Sequence, residues 1–177
     1  MKRFCVITNR DKEDSNRKAV YIQEYLEQKG GKCLILENRR VISEGVLHYT
    51  EADKIPEETE CVLVLGGDGT MIQAAIDLVH SKLPILGINM GTVGFLTEVE
   101  PQNLERALDL MLQDKYTIEN RIMLRESSVT PTGTSSGKAC YALNDVVLSK
   151  RGDCRLITIK VYINDELADI YRADGLI

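Results

Sequence analysis

The stretch Cys61-Val-Leu-Val-Leu-Gly-Gly-Asp-Gly-Thr70 constrains the fold more than any other part of this chain. Five apolar, mostly branched residues read as a strand buried on both faces, as in a parallel sheet. They lead into two glycines, a carboxylate, a third glycine and a hydroxyl. Met71-Ile-Gln-Ala-Ala-Ile-Asp-Leu-Val79 then follows, with helix composition. Open α/β sheets bind ligands at such strand-to-helix turns. Gly66, Gly67 and Gly69 let the backbone turn sharply and let a bulky anion approach N–H groups that a Cβ would block. The helix start adds donors and the positive end of its dipole. Asp68 is the odd member, because a carboxylate repels a phosphate unless it holds a metal or accepts a proton. That combination points to phosphoryl chemistry. Gly-Gly-Asp-Gly is also good turn chemistry in its own right. The strand before it, the helix after it and the Thr70 hydroxyl favour the ligand reading.

Composition narrows the class. The 177 residues suffice for one large domain, or one domain with a smaller partner. With 44% hydrophobic residues and no long uncharged apolar run, the chain reads as globular and soluble, with no membrane partner. Met1 to Thr8 is too short an apolar stretch for a signal peptide and reads as a first strand. A net charge of −5 argues against a general grip on nucleic acid, so local donors must hold any anion. Five cysteines, at 5, 33, 61, 140 and 154, lack metal or redox spacing. Cys5, Cys33 and Cys61 fall in expected strands as small buried hydrophobes, in keeping with a reducing cytoplasm. His48 and His80 are isolated and read as surface residues.

The chain has two rhythms. Arg3 to Thr8, Lys32 to Glu37, Cys61 to Leu65 and Pro84 to Ile88 read as strands. Between and after them lie helices from Asp14 or Ser15 to about Gln28, stopped by Gly30-Gly31, from Thr70 to Val79, and from Pro101 to near Gln113. Asn38 to Glu60 is polar and reads as a loop with a short irregular element. Such alternation predicts a doubly wound, mostly parallel sheet over residues 1–116. Residues 117–177 are β-rich: Arg121 to Thr130 and Tyr141 to Ser149 read as extended, joined by a turn-rich connection over 131–137. Leu156 to Ile163 and Leu167 to Arg172 flank Asn164-Asp165-Glu166, a hairpin signal.

Four blocks carry a resemblance. Gly66-Gly-Asp-Gly-Thr70, then Gly87-Ile-Asn89 with Gly91-Thr-Val-Gly-Phe-Leu96, then Leu143-Asn-Asp-Val-Val-Leu148, then Arg172-Ala-Asp-Gly-Leu-Ile177 resemble the ordered motifs of bacterial NAD kinases. The first block alone is shared with lipid kinases of the diacylglycerol and sphingosine type. All four, in this order and spacing, are specific. The resemblance implies an α/β domain followed by a β-sandwich-like domain, and transfer of the ATP γ-phosphate to the adenosine ribose 2′-hydroxyl of NAD. It implies Asp68 as proton acceptor, and Gly67, Gly69 and Thr70 at the phosphates. Asn89 and an adenine-packing Phe95 would join them. Asn144 and Asp145 would hold ribose hydroxyls, and Arg155, Arg172 and Asp174 would make further dinucleotide contacts. ATP, NAD and Mg²⁺ are the implied ligands, and a homo-oligomer the implied complete form. Ala173, where the family usually has Gly or Ser two positions before the last glycine, is a small departure.

Physical chemistry fits those roles. Phosphoryl transfer needs positioning and charge neutralisation more than strong basicity. An Asp with an ordinary pKa of roughly 4 orients a hydroxyl and takes its proton late. Adjacent Asn144 and Asp145 offer a donor–acceptor amide and an acceptor-only carboxylate, as ribose hydroxyls require. The family pattern continues past the last block into a Thr-Pro-Thr-Gly-Ser-Thr-Ala-Tyr-like segment, whereas this sequence stops at Ile177. An incomplete β-rich domain, little activity alone and self-association through that half are therefore expected. Two other readings remain: a lipid kinase of the diacylglycerol type, and an inactive nucleotide-binding module.

Overall fold

The computed structural model describes residues 1–9, 13–38, 41–43, 46–91, 94–129, 132–133, 139–152 and 155–177. The chain separates into two compact units, Met1–Arg121 and Ile122–Ile177.

The first unit runs β1 (Arg3–Asn9), α1 (Glu13–Gln28), β2 (Lys32–Asn38), β3 (Val41–Ser43), β4 (Val46–His48), β5 (Cys61–Gly66), α2 (Asp68–Asp77), β6 (Ile85–Asn89) and α3 (Leu104–Leu112). Its main sheet has the order β2-β1-β5-β6, all parallel. Alternation along the strands sorts the core into two layers. Phe4, Val6, Cys61, Leu63 and Leu65 point to one face, where Ala19, Ile22 and Leu26 of α1 and Leu104, Leu108 and Met111 of α3 cover them. Cys5, Ile7, Val62 and Val64 point to the other, covered by Ala74 of α2 and Leu78 after it. Every residue of β5 is buried, which is why its sequence shows a continuous apolar run rather than alternation. The buried thiols of Cys5, Cys33 and Cys61 are pushed up to about 12 by desolvation, so they pack as inert hydrophobes.

Gly30-Gly31 ends α1 by a Schellman arrangement. The Gly30 N–H donates to Glu27 O at 3.0 Å and the Gly31 N–H to Leu26 O at 2.8 Å. Gly30 sits at φ +81°, and a Cβ there would meet nothing within 4 Å. The glycine is needed for its backbone angle and not for space. Gly30→Ala is therefore expected to destabilise the unit by about 1 kcal/mol, with Gly30→Asn milder. A urea midpoint unchanged in Gly30→Ala would contradict this.

The segment from Asn38 to Glu60, expected as loop, contains the β3–β4 hairpin and a 3₁₀ turn at Ala52–Lys54. Its strands are only three residues each, and the segment after them is anchored far away in sequence. Asp77, at the C-terminal end of α2, is only 1% exposed in its side chain. Its Oδ2 accepts from the Tyr49 and Thr50 N–H groups at 2.9 Å each. Gln73 Nε2 donates to Oδ1 at 3.0 Å, and His48 Nδ1 lies 3.1 Å from the same oxygen. His48 is thus partly exposed, in keeping with the surface position expected, but it is tied to Asp77 and not isolated.

The second unit is β-rich, as expected. Its strands are β7 (Leu124–Glu126), β8 (Cys140–Ala142), β9 (Leu148–Ser149), β10 (Ile157–Ile163), β11 (Glu166–Ala173) and β12 (Gly175–Leu176). Among the described residues they pair two by two: β7 with β8, β9 with β12, β10 with β11, all antiparallel. Asn164 and Asp165 join β10 to β11 with φ of +50° and +67°, the left-handed pair of a tight hairpin turn. The strand expected over Tyr141 to Ser149 is broken: a bend at 143–144 separates β8 from β9. Most of the expected connection over 131–137, and Cys154, lie outside the described residues.

Candidate active site

The order β2-β1-β5-β6 reverses direction between β1 and β5, and such a switch point opens a crevice at the carboxyl ends of the strands. β5 ends there at Gly66, which pairs in register with Asn89 at the end of β6. The Met90 N–H donates to Gly66 O at 3.2 Å, tying the two strand ends together. Asn89 is 3% exposed, and its Oδ1 accepts the Gly91 N–H at 2.9 Å, directing the chain into the next segment.

The four glycines around Asp68 have different reasons to be glycine. A Cβ on Gly66 would lie 2.4 Å from Thr70 Oγ1, so Thr70 is folded over it. Cβ atoms on Gly67 and Gly69 would meet nothing within 4 Å, so the space over the turn is open. None of these three has a positive φ; Gly67 is extended at φ −107°, ψ −169°. The turn therefore does not need the left-handed backbone that its composition suggested. Room for an approaching group explains Gly67 and Gly69 better than local conformation does. Gly67 is also the N-cap of α2, with its C=O accepting from the Thr70 and Met71 N–H groups at 3.0 and 3.1 Å.

Asp68 opens α2, where the helix dipole favours a negative charge. Its carboxylate reaches across to the segment after β6. Oδ2 accepts the Phe95 N–H at 2.8 Å and Oδ1 accepts the Leu96 N–H at 3.0 Å. Those two donors hold the carboxyl below its ordinary value; partial desolvation opposes them and the Thr97 N–H assists. Asp68 is thus a weaker base than an unperturbed aspartate, and its carboxylate is fixed to the backbone of the segment after β6. The fourth glycine, Gly94, makes this contact possible, because a Cβ there would fall 2.1 Å from Asp68 Oδ1. Phe95, beside it, is 99% exposed.

In the first unit the structure thus gathers Gly67, Asp68, Gly69, Thr70, Asn89 and Phe95 around one strand end. Sequence reasoning missed Gly94, whose signal was a glycine directly before a lone aromatic. It also missed a concavity of about 330 Å³ lined by Glu13, Asp14, Ser15, Arg17 and Met90, at the start of α1. In the second unit, Asn144 and Asp145 are exposed in the bend and loop before β9. Arg172 lies exposed on β11. Asp174 is joined to Lys150 by an ion pair and by a Lys150 N–H to Asp174 O bond of 2.9 Å. Lys150 Nζ also reaches Arg155 O at 3.5 Å, so Lys150 ties two expected ligand residues. Among the described residues, no three His, Cys, Asp or Glu side chains form a metal-holding cluster, and no helix is long and apolar enough to cross a membrane.

A sequence model described as ATP-NAD kinase N-terminal domain matches residues 4–116. The chain belongs to the ATP-NAD kinase family. An NAD kinase of Lachnoclostridium phytofermentans is 40% identical over 178 residues, which cover 100% of this chain and 61% of that protein. One of Agathobacter rectalis is 39% identical, with 100% and 60% covered. The chain thus spans about 60% of the length of these family members. The crystal structure of yeast NADH kinase complexed with NADH superposes with a TM-score of 0.74 at 18% identity, covering 98% of this chain and 56% of that one. At that identity the likeness establishes the family's fold.

Proposed function

We propose that this chain carries the phosphate turn and part of the dinucleotide site of an ATP-dependent NAD kinase. The observation that carries the reading is Asp68 at an open glycine turn on the switch-point strand, bound to the backbone of an exposed aromatic. Membership of the ATP-NAD kinase family supports it. The γ-phosphoryl of ATP passes to the adenosine ribose 2′-oxygen of NAD. The bond from the γ-phosphorus to the β,γ-bridging oxygen breaks, a ribose oxygen–phosphorus bond forms, ADP leaves, and the hydroxyl proton is lost on the Asp68 side. With its basicity held down, Asp68 orients the hydroxyl and accepts the proton late. Gly67 and Gly69 leave room for the phosphates beside the start of α2, with the Thr70 hydroxyl next in the turn. Phe95 stacks on a base. Asn144, Asp145, Arg155, Arg172 and Asp174 serve the dinucleotide. Magnesium arrives on the triphosphate as part of the substrate, its charge offsetting the repulsion between the phosphates and Asp68. A homo-oligomer working in the cytoplasm completes the reading.

The test uses this chain completed to the length of the Lachnoclostridium phytofermentans protein with that relative's own unmatched residues. NADP should form from NAD and MgATP, and no phosphorylated lipid from diacylglycerol. Lipid product would favour the lipid-kinase reading, and nucleotide binding without turnover an inactive module. In the same protein, Asn144→Ala should weaken NAD binding about tenfold, the scale of one hydrogen-bonded group, and ATP binding much less. Equal loss for both nucleotides in calorimetry would make Asn144 structural.

A further inference from the structure

We propose that the Asp68 carboxylate is also a clip that fixes the turn presenting Phe95, and that Gly94 is a positioning residue whose missing side chain leaves the notch for that carboxylate. The inference rests on the nucleotide-site reading above and adds a mechanical link to it. Three observations converge. Both carboxylate oxygens are engaged by consecutive amides, Phe95 at 2.8 Å and Leu96 at 3.0 Å. The smallest side chain at 94 would overlap Asp68 Oδ1 at 2.1 Å, Cγ at 2.6 Å and Oδ2 at 2.9 Å, so the fit is to the whole carboxylate. Phe95 is 99% exposed, so no packing of its own holds the ring in place. Its backbone attachment to Asp68 is what sets where the ring stands.

One consequence follows. A hydroxyl that donates to Asp68 shares that acceptor with the aromatic's turn, so occupancy at the phosphate turn and ring position are coupled. Thr97 closes the same turn with a buried hydroxyl that has no partner among the described residues. An unused donor therefore stands in the segment that the carboxylate holds.

Amide hydrogen exchange on the 177-residue chain tests the clip directly. The Phe95 and Leu96 amides should exchange about tenfold or more slowly in the parent than in Asp68→Ala, while Leu63 in the core stays equally protected in both. Gly94→Ala should release the same amides although the carboxylate is present. The chain has no tryptophan, so Phe95→Trp adds a single reporter. Its anisotropy should fall when Asp68→Ala or Gly94→Ala is added. In the completed enzyme, Gly94→Ala should raise the nucleotide KM more than it lowers kcat. Equal exchange at 95 and 96 in parent and Asp68→Ala would overturn the clip. So would Gly94→Ala with parent-like amides and KM. Failure of the completed parent to make NADP, with the amides still responding, would sink the kinase reading and leave the clip standing.

Discussion

Asp68→Asn in the completed enzyme is expected to lower NADP formation by at least two orders of magnitude, the usual scale for losing a positioned acid–base group. Two effects act together. On the proposed mechanism, the amide loses the negative charge that orients and finally deprotonates the ribose hydroxyl. It also keeps one acceptor oxygen for two backbone donors, Phe95 and Leu96, and turns its own NH₂ toward the other. The first effect falls on kcat and the second on nucleotide KM, so both parameters should move. Far-UV circular dichroism should stay unchanged, because the carboxylate lies at the rim and not in either core layer. The pH dependence follows from the direction of the shift. The folded-state pKa is lowered, chiefly by the Phe95 and Leu96 N–H groups. Its contribution is therefore fully present above the ordinary carboxylate value and is lost only as pH falls through the lowered one. The acid limb of the parent's rate should accordingly lie below the usual carboxylate range. A rate near that of the parent in Asp68→Asn would remove Asp68 from the mechanism.

What the sequence revealed and what it concealed divide by range of contact. β5 was legible because a strand covered on both faces must be apolar throughout, and no tertiary knowledge is needed to see that. The β10–β11 hairpin was legible because its turn chemistry, Asn164-Asp165, is local. The clip between Asp68 and Phe95 joins residues 27 positions apart, and neither end advertises it. A glycine turn with one carboxylate reads as ligand chemistry whether or not that carboxylate already has partners. Gly94 was the available clue, yet a glycine before an aromatic is compatible with many turns. The hairpin β3–β4 was hidden for the same reason. Its two strands are only three residues each, too short to show a period, and the carboxylate that holds the segment after it stands in another element. Tyr141 to Ser149 shows the opposite error. Its β-forming residues suggested one strand, but the chain bends at Asn144, where both it and Asp145 are exposed. Composition reported strand propensity and could not report the interruption.

Asp77→Ala is expected to cost about 3 kcal/mol or more, the largest stability loss expected here of any surface-coloured residue. By sequence Asp77 looks dispensable: it is a polar residue near a helix end, and at that end the dipole disfavours a negative charge. The structure reverses the judgement. Its side chain is 1% exposed, and it accepts from the Tyr49 and Thr50 amides and from Gln73, with His48 Nδ1 within 3.1 Å. An ionised carboxylate only accepts, so the His48 nitrogen facing it carries the proton. Alanine would remove the acceptor shared by these donors and leave a hole where a buried charge had been neutralised. Because the contacts span residues 48–50 and 73–77, the loss should appear both as a lower urea midpoint and as faster amide exchange at 49 and 50. Asp77→Asn should fall between parent and alanine, since it keeps one oxygen but offers an NH₂ where a second acceptor is needed. Protection in β5 should persist below the global transition, separating loss of this anchor from collapse of the sheet. A shift under about 1 kcal/mol for Asp77→Ala, the range of an exposed pair, would mean that the segment after β4 is held by its own turns and not by α2.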